Sequence, residues 1–461
     1  MRAALVVDLG FGDAGKGLVT DHLTRALGAH TVVRFNGGAQ AGHNVVTPDG
    51  RHHTFSQLGA GSFVPGVRTH LSRHAVVHPT ALLVEAAALA DKGVGDALER
   101  VSVSGEALVI TPFQQAACRL RELARGDARH GSCGVGVGEA ARDALLDPAG
   151  ALRARHLGDR AALRRTLARL QERKRAELDD ELRALRGSPR ADAERRALES
   201  PSIADAWADA AARLAPLVRP GDEALAARLA LGGAIVFEGA QGVLLDEWCG
   251  FHPHTTWSTC TFARALDLLR ACRFEGETLR LGVVRTYATR HGPGPLPTED
   301  ASLAPFLPEP HNADGPWQGA FRLGWPDFAL LRYAIEACGG VDALALTHLD
   351  ALARLPRFRA CTGYLPLPGA RLDPPLYEPV AGGEGPARPR PPASHDLDRQ
   401  AALTETLGSV RPVYDDLPWA PGAEPERYAR HVEALAGAPV RLASTGPRAT
   451  DVRALGPLFG E

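Results

Sequence analysis

The spacing of hydrophobic residues along the 461-residue chain predicts strands that alternate with helices. Short apolar runs typical of buried strands occur at residues 3–9, 31–35, 234–237, 281–284 and 343–346. Residues 18–27 and 79–92 have the period of amphipathic helices, and the second begins with proline, which the first turn of a helix tolerates. This alternation predicts an α/β fold with a mainly parallel central sheet flanked by helices, in one large domain of residues 1–461.

A helical insertion is predicted around residues 160–220. Leucines recur at helical spacing between residues 163 and 185 with charged residues between them, and residues 201–217 are again helical. Such an apolar face either packs within the chain or pairs with a partner helix in a coiled coil. A stretch rich in Gly, Pro and Arg around residues 380–395 predicts a surface loop rather than a domain linker.

Composition argues against nucleic-acid-binding, membrane-bound and disulfide-rich proteins. A formal net charge of −2 and a pI near 6.8 argue against general binding to nucleic acid or to a membrane surface. No stretch approaches the roughly 18 apolar residues of a membrane span, and the N-terminal apolar run is too short for a signal peptide. The seven cysteines are scattered without a C-x-x-C pair, as expected for reduced thiols. We therefore expect a cytoplasmic protein that acts on small molecules.

The glycine-rich turn G-F-G-D-A-G-K-G at residues 10–17 follows the first predicted strand. Backbone N–H groups in such a turn approach phosphate closely, and the following helix adds partial positive charge. Lys16 is one of only three lysines among 52 basic residues and offers a mobile charge for a phosphoryl group, while Asp13 could ligate a metal or take a proton. The turn is not a G-x-x-x-x-G-K-[ST] loop, because Leu18 follows Gly17. An ordinary glycine turn with an aspartate cap is the alternative.

Two further turns follow predicted strands. The segment N-G-G-A-Q-A-G-H ends at His43, which places an imidazole at the mouth of an α/β sheet. Histidine there suits a general acid or a phosphate contact. A lone histidine is more often structural, so the significance of His43 depends on its pairing with Asp13. The third turn, F-E-G-A-Q-G, occupies residues 237–242.

These motifs, in this order, resemble those of the adenylosuccinate synthetases. The resemblance continues through R-T-Y-A-T-R-H-G-P-G-P-L-P-T-E at 285–299, L-T-H-L-D at 346–350, P-V-Y at 412–414 and S-T-G-P at 444–447. It covers essentially the whole chain. It implies a homodimeric ligase that uses GTP and Mg²⁺ to join L-aspartate to IMP or a related 6-oxopurine nucleotide. The implied route passes through a 6-phosphoryl intermediate and gives adenylosuccinate, GDP and phosphate.

The resemblance also implies roles for individual residues. Asp13 would act as a base on the purine N1, His43 would stabilise phosphoryl transfer as an acid, and Gln241 would orient the purine. Asp13 and the backbone of Gly42 would hold Mg²⁺. Asp350 would accept two hydrogen bonds from guanine, which adenine cannot donate at that edge. The implied GTP-binding residues are Gly12, Gly15, Lys16, Gly17, His348, Asp350, Ser444, Gly446 and Pro447.

The acceptor side departs from the family pattern. The family's T-T-G-R-G turn is S-C-G-V-G at residues 132–136, and its T-T-G-R-R-R-R-x-G-W loop is P-W-Q-G-A-F-R-L-G-W at 316–325. The arginine that reaches across the family's dimer has no clear counterpart. Each lost charge-assisted hydrogen bond would cost about 1.5–3 kcal/mol. The implied substrate contacts are Gln40, Cys133, Thr256 and Arg322, the last being the one arginine that survives in its loop.

Three functions therefore stay open at the level of sequence. The first is adenylosuccinate synthesis with a reshaped substrate loop. The second is a family relative that acts on another acceptor or amine in specialised nucleotide or nucleoside metabolism. The third, a non-catalytic GTP-binding protein, would not need Asp13 and His43 together. A nicotinamide-binding enzyme is disfavoured because the first turn lacks G-x-G-x-x-G spacing.

Overall fold

A computed structural model of the chain describes residues 1–310, 312, 315, 317–380, 385–416 and 425–460. Within that part of the chain the strands are β1 Arg2–Asp8, β2 Thr31–Arg34, β3 His43–Val46, β4 His52–Phe55, β5 Arg68–Leu71, β6 Val76–Val77, β7 Val101–Ser104, β8 Leu108–Val109, β9 Val218–Arg219, β10 Ala234–Glu238, β11 Glu277–Arg285, β12 Ala288–His291, β13 Phe321–Gly324, β14 Ala343–Thr347, β15 Arg359–Pro366, β16 Tyr377–Pro379, β17 Ala387–Pro389, β18 Val410–Asp416, β19 Val440–Ser444 and β20 Val452–Ala454.

The α-helices of the same residues are α1 Lys16–Ala26, α2 Pro79–Ala90, α3 Pro112–Arg125, α4 Val137–Leu146, α5 Arg160–Glu177, α6 Asp179–Ala184, α7 Pro189–Glu199, α8 Pro201–Ala212, α9 Glu223–Leu229, α10 Ala263–Ala271, α11 Phe328–Ala337, α12 Leu397–Leu407 and α13 Pro425–Ala436. No described helix combines the length and the apolar character that a membrane crossing requires.

A ten-stranded sheet forms the centre of the molecule, in the order β20-β19-β14-β11-β1-β10-β2-β5-β7-β9. Its strand pairs are parallel except for β19 with β20. In β1 the residues from Ala3 to Val7 are all buried, because helices cover both faces of a parallel sheet and its strands are apolar without alternation. The predicted α/β class with a mainly parallel sheet is confirmed.

The predicted strands are present, and the largest difference concerns β11. The apolar run predicts a strand over 281–284, whereas β11 begins at Glu277. The first residues of β11 alternate between exposed and buried positions, so a continuous apolar run misses them. The surface loop predicted around 380–395 contains β17 in its described part, and residues 381–384 lie outside the described residues.

The helical insertion is confirmed and consists of α5 to α8. Leu163, Leu167 and Leu198 are fully buried in one hydrophobic cluster, so the leucine face of α5 packs within the chain. Lys174 of α5 is also fully buried and lies between the carboxylates of Glu139, Asp143 and Glu177, at 2.9, 2.7 and 3.1 Å. These ion pairs attach α5 to α4, whose first turns border the cleft described next. Helix α7 was not anticipated from the sequence.

Candidate active site

One cleft, with a volume of about 990 Å³, gathers most of the residues that the sequence singles out. It forms because β1, β2 and β10 are neighbouring parallel strands, so the turns that follow them meet at one edge of the sheet. The predicted site residues that line it are Gly12, Asp13, Gly15, Lys16, Gly17, Gln40, Gly42, His43, Cys133, Gln241, Thr256, His348, Asp350, Gly446 and Pro447. Ser444 and Arg322 are not among the described residues of its lining.

Asp8, the last residue of β1, holds the first glycine turn in place. Its carboxylate accepts hydrogen bonds from the backbone N–H groups of Gly10 at 2.8 Å and Ala14 at 2.9 Å, and it pairs with the Lys16 ammonium at 2.9 Å. Both side chains of the Asp8–Lys16 pair are buried. A side chain at Gly17 would come within 2.8 Å of a backbone oxygen of β3, so only glycine fits at this position of α1. Contacts within the chain therefore fix both the shape of the turn and the position of the Lys16 ammonium.

Asp13 lies at the tip of this turn, in a left-handed backbone conformation with φ 59°. Its carboxylate is one-quarter exposed to the cleft and lies 3.4 Å from Nε2 of His291. Burial raises the pKa of Asp13, and the nearby charges of His291, Lys16 and Arg285 oppose that rise. A partly exposed carboxylate of raised pKa is suited to accept a proton from a bound substrate.

His43 is oriented by Glu238 at the end of β10. Nδ1 of His43 lies 2.6 Å from the Glu238 carboxylate, whose other oxygen accepts a hydrogen bond from Ala60 N at 3.0 Å. Burial lowers the pKa of His43 to about 4. Glu238 is fully buried, which by itself raises its pKa, but the charges of His43 and Arg34 lower the pKa below its usual value. The His43 imidazole is thus neutral and donates from Nδ1 to the Glu238 carboxylate. Its unprotonated Nε2 has no hydrogen-bond partner among the described residues.

Several polar side-chain atoms of cleft-lining residues are buried without a hydrogen-bond partner among the described residues. They include Nε2 of His43, Oε1 of Gln241 and Oε1 of Gln40. Buried polar atoms are almost always satisfied in folded proteins, so orphaned atoms that face a cleft indicate contacts reserved for a ligand. Gln241, like Asp13, has a left-handed backbone, with φ 59°.

The end of the cleft near β14 and β19 carries the predicted guanine-binding residues. The half-buried His348 ring packs edge-on against Tyr287 at 5.9 Å, and desolvation lowers its pKa well below the usual value. The Asp350 carboxylate is partly exposed and pairs with Arg354 at 2.7 Å. Ser444 lies behind the cleft, where its hydroxyl donates to the Gly446 backbone oxygen at 2.6 Å. Ser444 therefore shapes the loop rather than lining the cleft.

At the acceptor end, the predicted substrate contacts Cys133 and Arg322 are a neutral thiol and an arginine bound to other residues of the chain. Burial raises the pKa of the Cys133 thiol to about 12, so the thiol is a neutral group. Arg322 donates to the backbone oxygens of Gly292 at 3.0 Å and Gly294 at 2.7 Å, and it pairs with Glu299 at 2.7 Å. Two of these bonds hold the 292–294 turn and the third links Arg322 to Glu299, so Arg322 has a structural role here. Its contact with substrate stays a prediction.

Sequence reasoning assigned no role to several residues of the site. Arg285 donates to the Asp13 backbone oxygen at 3.1 Å and also contacts the Tyr287 hydroxyl and the Glu309 carboxylate. Asp8 and Glu238 could have been found as acids at the ends of buried strands, immediately before glycine turns. Glu309 has no such signal, because its position depends on a long connection between β12 and β13.

The residues present fit a magnesium ion that is shared with substrate. No group of three or more His, Cys, Asp or Glu side chains within the described residues could hold a metal alone. Mg²⁺ commonly binds through one or two protein oxygens together with substrate phosphates. The partly exposed Asp13 carboxylate and the Gly42 backbone face one cleft and supply oxygen donors of that kind.

Comparisons with known proteins agree along nearly the whole chain. The adenylosuccinate synthetase family profile matches residues 5–453. Adenylosuccinate synthetase 1 of Chromobacterium violaceum is 35% identical, covering 98% of this chain and 97% of the relative. The enzyme of Myxococcus xanthus is 32% identical, covering 97% of each chain. The solved structure of fully ligated adenylosuccinate synthetase from Plasmodium falciparum has a TM-score of 0.78 over 98% of this chain and 99% of that chain, at 20% identity, which shows a shared fold.

Proposed function

The chain belongs to the adenylosuccinate synthetase family of GTP-dependent ligases, and we propose that Asp13, His43 and Gln241 carry out its reaction between IMP and L-aspartate. The observation that carries the assignment is the arrangement of these side chains around one cleft, with the atoms His43 Nε2 and Gln241 Oε1 buried and unsatisfied. A protein that only bound GTP would need neither an oriented imidazole nor a carboxylate of raised pKa.

In the first step the purine is activated at its 6-oxygen. The Asp13 carboxylate takes the proton from N1, and the 6-oxygen attacks the γ-phosphorus of GTP. The bond between that phosphorus and the bridging oxygen breaks, and GDP leaves. We propose that the negative charge of the bound phosphates favours protonation of His43, and the resulting imidazolium donates through Nε2 to the moving phosphoryl group and through Nδ1 to Glu238. The ordered turn of residues 10–17 and the Lys16 charge face the phosphates, and Mg²⁺ bound with them supplies further charge neutralisation.

In the second step the amine of L-aspartate attacks C6 of the 6-phosphoryl intermediate. The bond from C6 to oxygen breaks, phosphate leaves with the electron pair, and the amine loses a proton. Gln241 keeps the purine in place through its side-chain amide. Water must be excluded from the intermediate, since it would return IMP at the cost of one GTP.

A second candidate is a family relative with another amine or acceptor. One observation favours it: the Arg322 guanidinium is committed to Glu299 and to two backbone oxygens, so it is not available for a substrate carboxylate in this conformation. An assay of GTP turnover separates the two candidates when other 6-oxopurines and other amino acids replace IMP and L-aspartate.

The test uses purified protein with GTP, Mg²⁺, IMP and L-aspartate, followed by phosphate release and by the absorbance change of the purine. We expect turnover only when all components are present. Consumption of GTP with another 6-oxopurine or amine, but not with IMP and L-aspartate, would support the second candidate. Binding of GTP without turnover with any acceptor would contradict both.

We also propose that the protein is a cytoplasmic homodimer, as its resemblance implies. Its seven cysteines are unpaired, which suits a reducing compartment. The missing counterpart of the arginine that crosses the family's dimer makes the oligomeric state worth measuring first. Light scattering of the purified protein at several concentrations would give a constant mass of two chains if the dimer is stable. A mass of one chain would contradict it.

A further inference from the structure

Three histidines line the cleft at its acceptor end and have no part in the proposed mechanism. His130 lies in the loop after α3, while His252 and His254 lie in the segment between β10 and α10. The two segments touch, because Nδ1 of His254 is 3.3 Å from the His130 backbone oxygen. Among the described residues, nothing forms a hydrogen bond with the rings of His130 and His252. The rings are therefore clustered, accessible from the cleft and largely uncommitted.

The fixed cations at this end already have partners. Arg125 pairs with Glu122 at 2.6 Å, and Arg322 pairs with Glu299 at 2.7 Å. Arg290 is fully buried and donates to three backbone oxygens, at distances between 2.9 and 3.2 Å. Each of these guanidinium groups is engaged with its own part of the chain, whereas the rings of His130 and His252 have no hydrogen-bond partner among the described residues.

The surroundings of His130 and His254 lower the pKa of both rings. For His130, burial lowers the pKa first, Arg125 and His252 lower it further, and Glu122 opposes them. For His254, burial again lowers the pKa most, with smaller contributions of the same sign from Arg290, His130 and Arg322, against the hydrogen bond to the His130 backbone. An oxyanion between the rings would accept their N–H bonds and reverse this balance.

We propose that His130, His252 and His254 form an oxyanion-binding subsite that holds the charged end of a substrate. The identity of that oxyanion rests on the proposed function: it is either the phosphate of IMP or a carboxylate of L-aspartate. Both present charged oxygens that accept hydrogen bonds from imidazole N–H groups. The subsite would replace donors that the S-C-G-V-G turn and the 316–325 loop lack.

The first experiment needs no turnover. The protein is labelled with ¹³C-histidine, its ring signals are assigned from His→Phe variants, and inorganic phosphate is added. We expect the signals of the three histidines to move with phosphate, and the apparent pKa values of His130 and His254 to rise. The signal of His395, which stacks on Trp248 at 4.2 Å and is not among the cleft-lining residues, should stay in place. If phosphate moves none of the three signals, the proposal is overturned.

The second experiment identifies the substrate group. His252→Phe keeps a ring of similar size and removes both nitrogens, so we expect KM for one substrate to rise about tenfold while kcat changes little. The double variant His130→Phe/His252→Phe should raise the same KM by about 100-fold. A rise for IMP assigns the phosphate, and a rise for L-aspartate assigns the carboxylate. The control His395→Phe preserves the stacking on Trp248 and should leave both KM values unchanged.

The outcomes separate the subsite from the proposed function. Unchanged KM values in folded His252→Phe and His254→Phe proteins would overturn the subsite as a substrate contact. If the unaltered protein does not turn over IMP and L-aspartate, yet phosphate still moves the three ring signals, the proposed function fails and the oxyanion subsite stands.

Discussion

The two ends of the cleft solve the problem of binding charged substrates in different ways. At the phosphoryl-transfer end, buried acids hold other groups in place: Asp8 holds the glycine turn and Lys16, and Glu238 holds His43. The side chains that line the cleft there include His43 and Gln241, which carry buried atoms without a hydrogen-bond partner among the described residues. At the acceptor end, arginines are tied to carboxylates and to backbone oxygens of their own loops, as Arg322 shows.

This difference suggests that the residues for phosphoryl transfer and the residues that select the acceptor and amine lie at different ends of the cleft. Activation of a 6-oxopurine by GTP needs a base, an acid and a charged turn in fixed positions, and we propose that Asp13, His43 and the turn of residues 10–17 supply them. The groups that grip a particular acceptor or amine can change without altering that chemistry.

Replacing the base should have the largest effect. Asp13→Asn keeps the shape of the side chain but removes its ability to take a proton, so we expect kcat to fall by about 10²–10⁴-fold. Phosphate release measured with all substrates saturating gives the value. The matched control Asp350→Asn should not lower kcat to this extent. A comparable kcat for Asp13→Asn and the unaltered protein would remove the base from the account.

Loss of the carboxylate behind His43 should come next. Glu238→Gln leaves a group of equal size but a weaker acceptor for the Nδ1 proton, so the imidazole loses its fixed orientation. We expect kcat to fall by about 10²-fold, near the lower limit for a general acid, with KM for each substrate little changed. Steady-state kinetics check this split. A pure KM effect would mean that Glu238 supports binding rather than the acid.

Selectivity for guanine should depend on Asp350. One charge-assisted hydrogen bond contributes about 1.5–3 kcal/mol, so Asp350→Asn should lower kcat/KM for GTP by about 10–100-fold. ITP lacks the 2-amino group and so should lose less than GTP. Parallel kinetics with GTP, ITP and ATP measure the pattern. Equal losses for GTP and ITP would argue against a contact with the 2-amino group.

Acid should destabilise the fold through its buried neutral histidines. Burial lowers the pKa of His43 and of His70 to about 4, from the usual 6.5. The unfolded chain therefore binds more protons between pH 6.5 and 4, and stability falls as the pH decreases through that range, by up to about 1.4 kcal/mol per histidine and pH unit. Urea unfolding midpoints at successive pH values test this. His70→Leu should flatten the dependence, and a flat profile in the unaltered protein would contradict it.

The smallest effect on catalysis should come from Arg322. Its two charge-assisted hydrogen bonds to the backbone of the 292–294 turn together contribute about 3–6 kcal/mol to stability, and the half-exposed partner Glu299 adds little. Arg322→Met should therefore lower Tm by a few degrees and leave every KM within about twofold. Calorimetry and kinetics on the same sample check both. A large rise in one KM would return Arg322 to the set of substrate contacts.

The sequence predicted the first region better than the second for a physical reason. The turns after β1, β2 and β10 follow continuous apolar strands, and parallel strands bring their carboxyl ends together, so Asp13, His43 and Gln241 could be placed in one cleft. Arg322 could not be placed in this way. It lies opposite Arg290 in the antiparallel pair of β12 and β13, and backbone oxygens of residues 292–295 bind both arginines. Such register is not visible in a linear pattern.

In the proposed reaction the 6-oxygen of the purine becomes an oxygen of the released phosphate. The fate of this oxygen is measured by running the reaction with IMP that carries ¹⁸O at position 6 and analysing the phosphate by mass spectrometry. The account predicts one ¹⁸O atom in each phosphate released, with the label lost from the purine product. Unlabelled phosphate would mean that water attacks GTP, and would contradict a 6-phosphoryl intermediate.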